Sequence, residues 1–136
     1  MNRLQGVVTA VQSAGQVALA DVEVAGDTLS ALVVESDAQA EYLRPGTAVL
    51  VLFQETEVSL AKNLSGLISL RNRLRARIKS MDKGGVLTRV VLDYRGQDIV
   101  AIITTRSAKR LALAPGDEVE GLVKANEVTL VPREER

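Results

Sequence analysis

Short stretches of β-branched and small apolar residues, separated by turn-forming residues, dominate the first half of the chain. They run from Val7 to Val11, from Val17 to Val24 and from Leu29 to Val34. Ser13-Ala14-Gly15 and Gly26-Asp27 lie between them, and both are typical of tight turns in hairpins. The pattern therefore predicts three antiparallel strands.

The period of the pattern changes after the third strand. Asp37 to Leu43 reads as one or two helical turns, with Asp37 as the N-cap. Pro45-Gly46 ends this helix and starts a fourth strand, and a fifth strand runs from Glu57 to Ala61. Five short strands with a small helix between the third and the fourth is the order of an OB-like barrel, so an all-β fold is predicted.

The whole pattern occurs twice, because the sequence matches itself without a gap at an offset of 70 positions. Asn2-Arg3-Leu4 meets Asn72-Arg73-Leu74, and Pro45-Gly46 meets Pro115-Gly116. We predict two tandem OB-like five-stranded barrels, in segments 1–65 and 66–136, with a linker short enough for them to touch. The elements expected in the second copy are strands Arg73 to Met81, Val86 to Tyr94, Ile99 to Thr104 and Glu127 to Pro132, and a helix over Ser107 to Leu113 with Ser107 or Thr105 as N-cap.

Composition narrows the chemistry. The 136 residues include no cysteine and no histidine, which excludes disulfides and thiol nucleophiles and removes the commonest general base and transition-metal ligand. No paired acids or nucleophile motif are present, so an enzyme and a direct protein–metal site are not expected. Neither a membrane-spanning apolar run nor a signal peptide is visible, which predicts a cytoplasmic protein without membrane contact.

Charge is distributed unevenly between the copies. Residues 1–66 carry eight acids and three bases, a net charge of −5, whereas residues 67–136 carry nine acids and fourteen bases, a net charge of +5. The two halves attract each other, or the basic half holds an anion, or both are ordinary solvated faces.

One predicted strand of the second copy concentrates this basic charge. Arg71, Arg73, Arg75, Arg77 and Lys79 alternate along it and should share one face. Nucleic-acid binding by OB folds usually stacks bases on aromatic side chains, and this strand has none. We therefore expect the row to pack against acidic groups of the first copy or of another subunit, with Arg71 left for a ligand.

Two short segments of the second copy are rich in hydrogen-bond donors. Ser69-Leu70-Arg71-Asn72 opens this copy, and Lys124-Ala125-Asn126 lies between its last two strands. A hydroxyl, a guanidinium, an ammonium, two amides and backbone N–H groups could together coordinate a small tetrahedral oxyanion. The alternative is that Arg71 and Lys124 are ordinary surface cations.

These segments carry a family resemblance. Ser69-Leu70-Arg71-Asn72 resembles the Ser-Ala-Arg-Asn opening of the Mop, or TOBE, family of molybdate-binding domains. Ile102 to Ser107, Leu113 to Val119 and Leu122 to Leu130 resemble later family motifs in the same order. The likeness covers residues 69–132 well and residues 1–62 more weakly. It is similar to the tandem form found in molbindins and in the effector half of molybdate-responsive transcription regulators.

The resemblance implies binding sites at interfaces between domains or subunits, in a homo-oligomer that is a dimer or a trimer. Leu70 stands where the family usually has alanine, and Asn126 where it usually has serine. The residues that the resemblance nominates for oxyanion binding are Ser69, Leu70, Arg71, Asn72, Lys124, Ala125 and Asn126.

The first copy departs further from the family pattern. Met1 and Gln54 stand in the positions of Arg71 and Lys124, and Glu55 in that of Ala125. A carboxylate beside a dianion is repulsive by about 1–4 kcal/mol at contact distance. The first copy is therefore not expected to supply a complete site, and a start at Met1 fits either a natural start or an excised portion of a regulator.

The sequence thus leads to three functional hypotheses. The main one is a domain that binds molybdate or tungstate without covalent change and without a cofactor, as the sensing portion of a transcription regulator whose DNA contacts lie in a separate domain. The second is an intracellular store of the same anions. The third is a ligand-free oligomerisation module of a larger protein. The sequence does not distinguish molybdate from tungstate.

Overall fold

The computed structural model describes residues 1–34 and 41–133, which form ten strands, one short helix and two 3₁₀ turns. Strands β1 to β5 belong to the first copy: Asn2–Ala14, Val17–Val24, Asp27–Val34, Ala48–Phe53 and Ser59–Ala61. Strands β6 to β10 belong to the second: Asn72–Lys83, Leu87–Tyr94, Gln97–Thr104, Glu118–Val123 and Thr129–Pro132. Helix α1 is Thr105–Arg110, and the 3₁₀ turns are Glu55–Glu57 and Ala125–Glu127. The prediction of an all-β fold with two OB-like five-stranded units is confirmed.

Each unit is a curled antiparallel sheet that exchanges its fifth strand with the other. The first sheet has the order β10-β4-β1-β2-β3, and the second has the order β5-β9-β6-β7-β8. Leu130 of β10 lies opposite Val51 of β4, and Leu60 of β5 lies opposite Gly121 of β9. The segments 1–65 and 66–136 therefore describe the sequence repeat, whereas hydrogen bonding joins strands from both segments in each sheet.

The strands form because alternate positions reach an interior that the two copies share. Leu4, Gly6 and Val8 of β1 are buried while Gln5 and Val7 between them are exposed, and Leu74 and Ile78 of β6 are buried on either side of exposed arginines. Buried residues of both copies belong to one continuous apolar cluster. Neither copy therefore has a separate core, in agreement with the small size of each. Among the described residues, no helix has the length and apolar character required to cross a bilayer.

The β2–β3 and β7–β8 hairpins turn in the way that the sequence predicts. Ala25 and Gly26 have φ values of 51° and 89°, and Arg95 and Gly96 have values of 50° and 88°. Two successive residues with positive φ define the type I′ turn, whose twist suits two-residue hairpins. Glycine at the second position removes the Cβ that would strain this conformation.

Helix α1 begins and ends differently from the prediction. Its N-cap is Thr104, whose hydroxyl accepts a hydrogen bond from the backbone of Ser107 at 3.1 Å, so the expected caps Ser107 and Thr105 were wrong. The helix ends before Pro115, because Ala112 adopts a φ of 50° and closes a Schellman motif. The corresponding helix at Asp37 falls in residues 35–40, outside the described residues.

Candidate functional site

The two donor-rich segments meet at one end of the second sheet. Asn72 of β6 lies opposite Val123 of the antiparallel strand β9. Arg71 immediately precedes the first of these residues and Lys124 immediately follows the second, so the two cations flank adjacent strand ends. We call the segments Ser69–Arg71 and Lys124–Asn126 together the donor edge.

The donor edge is accessible, and its two cations have no partner among the described residues. Ser69, Arg71, Lys124 and Asn126 are exposed, and Ala125 is half-buried, as is Leu70. Neither the Arg71 guanidinium nor the Lys124 ammonium forms a hydrogen bond or an ion pair within residues 1–34 and 41–133. Both therefore retain their full donor capacity for an anion.

Other members of the basic row have partners, but not the expected ones. The acids lie in the second copy itself, on strands β8 and β9, so the expectation of contacts with the first copy was wrong for these residues, while contacts with another subunit stay a prediction. The bidentate contact to Arg73 holds the pKa of the Glu120 carboxyl below its usual value. The pairs are Arg73 with Glu120 at 2.6 Å, Arg77 with Glu118 at 3.0 Å and Lys79 with Asp98 at 2.9 Å.

Asn72, which was predicted as an anion ligand, is only 2% exposed and contacts the first sheet. Its Oδ1 accepts a hydrogen bond from the backbone N–H of Ser30 at 2.7 Å, and its Nδ2 donates to the carbonyl of Ser30 at 2.8 Å. Ser30 belongs to β3, so these two hydrogen bonds attach Asn72, the residue that follows Arg71, to the first copy.

The first copy makes the mirror contact through Asn2. Its Oδ1 accepts from the N–H of Val100 and its Nδ2 donates to the Val100 carbonyl, both at 2.8 Å. Strands β3 and β8 end the strand orders of their sheets, so Ser30 and Val100 have backbone groups that no neighbouring strand bonds. Each asparagine satisfies a pair of them in the way that another strand would.

The 3₁₀ turns bring the ends of β4 and β9 to the opposite sheet as well. The turn Ala125–Glu127 packs against β3, and the turn Glu55–Glu57 packs against β8. The donor edge of the second copy therefore borders the first sheet. This position between the copies agrees with the interface location that the resemblance implied.

The corresponding end of the first sheet offers an acceptor instead of donors. Glu55 occupies the position of Ala125, and its carboxylate accepts a hydrogen bond from the Met1 ammonium at 2.9 Å. This bond is the largest cause that lowers the pKa of the Glu55 carboxyl. A carboxylate at this position opposes the approach of an anion.

Two concave surfaces lie away from the donor edge. A groove of about 570 Å³ is lined by the linker residues Asn63 and Leu64 and by charged residues of β6 and β9. A cavity of about 290 Å³ lies between Thr56–Leu60 and the β8–α1 region. None of the predicted site residues lines either one. No cluster of acidic residues that could hold a metal ion occurs within the described ranges.

Sequence reasoning missed Ser30 and its partner Asp21. The Ser30 hydroxyl donates to the Asp21 carboxylate at 2.9 Å across the β2–β3 ladder, where the two residues lie opposite each other. At the offset of 70 the second copy has Val100 and Val91 at these positions. A polar pair that replaces an apolar pair on adjacent strands is the signal that would have found them.

Comparison with known proteins supports the resemblance. A TOBE domain model matches residues 68–130. The molybdenum-pterin-binding protein MopA of Rhodobacter capsulatus is 38% identical over 116 residues, which are 82% of this chain and 44% of MopA. The molybdenum transport protein ModE of Azotobacter vinelandii is 27% identical over 95% of this chain and 48% of its own length. The chain thus spans less than half of these curated relatives.

A solved structure matches the whole chain. The cytoplasmic molybdate-binding protein ModG, in a crystal form with molybdate bound, superposes with a TM-score of 0.92 at 29% sequence identity. The match covers 97% of this chain and 96% of ModG, so both OB-like units and their relative placement are shared.

Proposed function

Because the chain belongs to the tandem Mop/TOBE domain family, we propose that it binds molybdate or tungstate non-covalently at the donor edge. Membership of a family of binding domains agrees with the prediction that the protein is not an enzyme. The names of MopA and ModG support this class of ligand.

One observation supports the location of the site. Within residues 1–34 and 41–133, Arg71 and Lys124 flank adjacent strand ends without partners, whereas Arg73, Arg77 and Lys79 of the basic row are paired with acids. Two free cations at one edge match the charge of a tetrahedral dianion and supply charge-assisted hydrogen bonds. The first N–H groups of the turn that begins at Ala125 have no partner within that turn and add neutral donors.

Selectivity follows from a shell made only of donors. Sulfate has shorter bonds than molybdate, so a shell fixed around the larger anion leaves sulfate with longer contacts. Phosphate is partly protonated near neutral pH, and its hydroxyl finds no acceptor among Ser69 N–H, Arg71 and Lys124. Molybdate and tungstate are nearly equal in size, and both are expected to bind.

The exposure of the donor edge supports completion of the site by another copy. Arg71 and Lys124 are open to solvent on one side, and a single chain leaves a bound anion partly hydrated. We propose a homo-oligomer, a dimer or a trimer, in which a second chain closes this side.

Sensing within a transcription regulator is the proposed role, and the match to ModE supports it. In that role a separate domain contacts DNA. Storage is the second candidate, and the match over nearly the full length of ModG supports it together with a cytoplasmic location. A count of bound anions per oligomer by native mass spectrometry tests the storage role, because a store carries several sites per oligomer.

Isothermal titration calorimetry with molybdate, tungstate and sulfate tests the site. We expect tight binding of the first two anions, lost in Arg71→Ala and in Lys124→Ala. Arg75→Ala is the matched control, because it removes an exposed cation of β6 that lies outside the donor edge. Equal losses in all three variants would point to general electrostatics, and no binding by the unaltered chain would favour the ligand-free oligomerisation module.

A further inference from the structure

Both halves of the donor edge rest on one strand of the first copy. Arg71 is followed by Asn72, whose side chain holds both backbone groups of Ser30 on β3. Lys124 is followed by the turn Ala125–Glu127, which packs against the same strand. The geometry of the proposed site therefore depends on β3, although β3 carries none of its donors.

The contact with β3 is shielded from water. Ser30 is 3% exposed and Asn72 is 2% exposed. Hydrogen bonds between buried groups have no competition from solvent, and breaking them leaves both partners unsatisfied. The contact therefore fixes the start of β6 in one place with respect to the first sheet.

Strand β3, which Asn72 contacts, is itself held to β2 by a hydrogen bond between two polar side chains. The Ser30 hydroxyl donates to Asp21 on β2 at 2.9 Å. Strand β8, which Asn2 contacts in the equivalent way, has Val100 opposite Val91 of β7. Strand β3, which Asn72 contacts, thus has a polar side-chain pair with its neighbour, whereas β8, which Asn2 contacts, has an apolar pair at the equivalent positions.

We propose that Asn72 is a positioning residue for the oxyanion site. Anchored to Ser30, it fixes the backbone of Arg71 at the distance from Lys124 that the anion requires. The first copy serves as the platform of a site whose donors all belong to the second. This inference rests on the proposed function, since it concerns the same site.

Asn2 provides a matched control within the same molecule. It makes the same two hydrogen bonds to Val100 in the opposite direction between the copies. Its neighbours Met1, Gln54 and Glu55 lack the pair of free cations. Asn2→Ala and Asn72→Ala therefore remove equivalent contacts, but only the second removes a contact next to the donor edge.

The experiment measures molybdate and sulfate affinity by calorimetry, and unfolding by chemical denaturation, for the unaltered chain and both variants. We expect similar losses of stability in the two variants. We expect molybdate affinity to fall by about tenfold in Asn72→Ala, the effect of about one hydrogen bond, and by less than about threefold in Asn2→Ala. The preference for molybdate over sulfate should narrow only in Asn72→Ala, because a looser shell discriminates size less well.

A second pair of variants covers a failure of Asn72→Ala to fold. Asn72→Gln keeps the amide but adds one methylene, so it displaces Arg71 while preserving the polar contact. The positioning role predicts weaker molybdate binding in Asn72→Gln than in Asn2→Gln at equal stability.

Two results would overturn the inference. If affinity falls equally in the Asn2 and Asn72 variants, or in neither, Asn72 contributes to stability alone while the proposed function stands. If the unaltered chain binds neither molybdate nor tungstate, the proposed function is wrong, and the inference that rests on it is wrong as well. The unaltered chain therefore distinguishes the two failures.

Discussion

The two copies share a backbone and differ at the ends of equivalent strands. The second copy places Arg71 and Lys124 there, beside the small residue Ala125, and neither cation has a partner in the part of the chain that the structure describes. The first copy places Glu55 at the position of Ala125, and its carboxylate is already bonded. Duplication has thus produced one copy that presents donors and one that supports them.

The outer faces of the sheets show how charge was added without a broad cationic surface. Val7 lies opposite Ala48 in the first sheet, and the equivalent positions in the second are Arg77 and Glu118, which form an ion pair. The base and the acid occupy cross-strand positions, where opposite charges stabilise a sheet. The positive net charge of the second half therefore does not by itself produce a positively charged sheet face, because a base can be paired with an acid on the neighbouring strand.

The largest effect is expected when the second copy receives the residue of the first. Ala125→Glu places a carboxylate at the donor edge, in a turn whose equivalent already accepts Glu55. Repulsion of about 1–4 kcal/mol corresponds to roughly a five- to thousandfold weaker molybdate affinity. Calorimetry measures the change.

Asn126→Thr is the control for this exchange, because the first copy has Thr56 at that position. It replaces the amide donor by a hydroxyl donor and adds no charge, so a smaller change in affinity than in Ala125→Glu is expected. Full molybdate affinity in Ala125→Glu would show that the anion binds elsewhere.

A second difference concerns the contact between the β2–β3 and β7–β8 hairpins. Tyr94 is fully buried, and its hydroxyl donates to the Asp27 carboxylate at 2.7 Å; burial, and then this bond, raises its pKa. Tyr94→Phe leaves Asp27 without this donor and should lower the free energy of unfolding by about 1–2 kcal/mol.

Arg95→Ala is the control for Tyr94→Phe. It removes an exposed ion pair to the same Asp27 carboxylate, for which a loss of roughly 0–1 kcal/mol is expected. Urea denaturation measures both variants. A larger loss in Arg95→Ala than in Tyr94→Phe would contradict the role assigned to the buried hydroxyl.

At acidic pH, the free energy of unfolding should depend on carboxyl groups of the second copy that are paired with bases. The contact with Arg73 lowers the pKa of the Glu120 carboxyl from 4.5, and Lys62 lowers that of Asp117 from 3.8. Below these values the unfolded chain binds more protons than the folded chain, so stability is lost as pH falls through the folded pKa values. Glu120→Gln should make this loss shallower.

Glu118→Gln is the comparison for the acid profile, since its carboxyl is 81% exposed. Denaturation midpoints measured from neutral pH to pH 3 compare the two variants with the unaltered chain. Equal slopes in Glu120→Gln and in the unaltered chain would contradict a contribution from the Arg73 contact.

The smallest effect is expected at the end of helix α1. Ala112 adopts a φ of 50°, which strains a residue with a Cβ. Ala112→Gly should raise the free energy of unfolding by about 0.5–1 kcal/mol. Thermal denaturation of Ala112→Gly beside Ala114→Gly, which lies outside the helix cap, would detect it, and a lower midpoint in Ala112→Gly would contradict the reading of the cap.

The sequence was sufficient to locate the strands, but it was insufficient to identify the neighbouring strands with which they pair. Alternation and turn residues located β2 over Val17–Val24 without error. The same patterns do not state which sheet β5 and β10 join, because periodicity reports a buried face and not the neighbour that buries it. Glu57 and Glu127 were assigned to strands but belong to 3₁₀ turns, where the chain crosses to the other sheet.

The proximity of the two donor-rich segments was predictable from strand pairing, although they are far apart along the chain. Asn72 and Val123 are paired, so Arg71 and Lys124 do meet as expected from the order of the strands. The contact of Asn72 with Ser30 was not predictable, since it joins two copies through backbone groups that any residue possesses. Whether all the nominated residues contact the anion stays a prediction.

The most direct test of a single oxyanion site in the second copy is anomalous diffraction at the molybdenum absorption edge from crystals grown with molybdate. We expect an anomalous peak within hydrogen-bond distance of both Arg71 and Lys124, and none beside Glu55. A peak beside Glu55, or peaks confined to other surfaces, would contradict it.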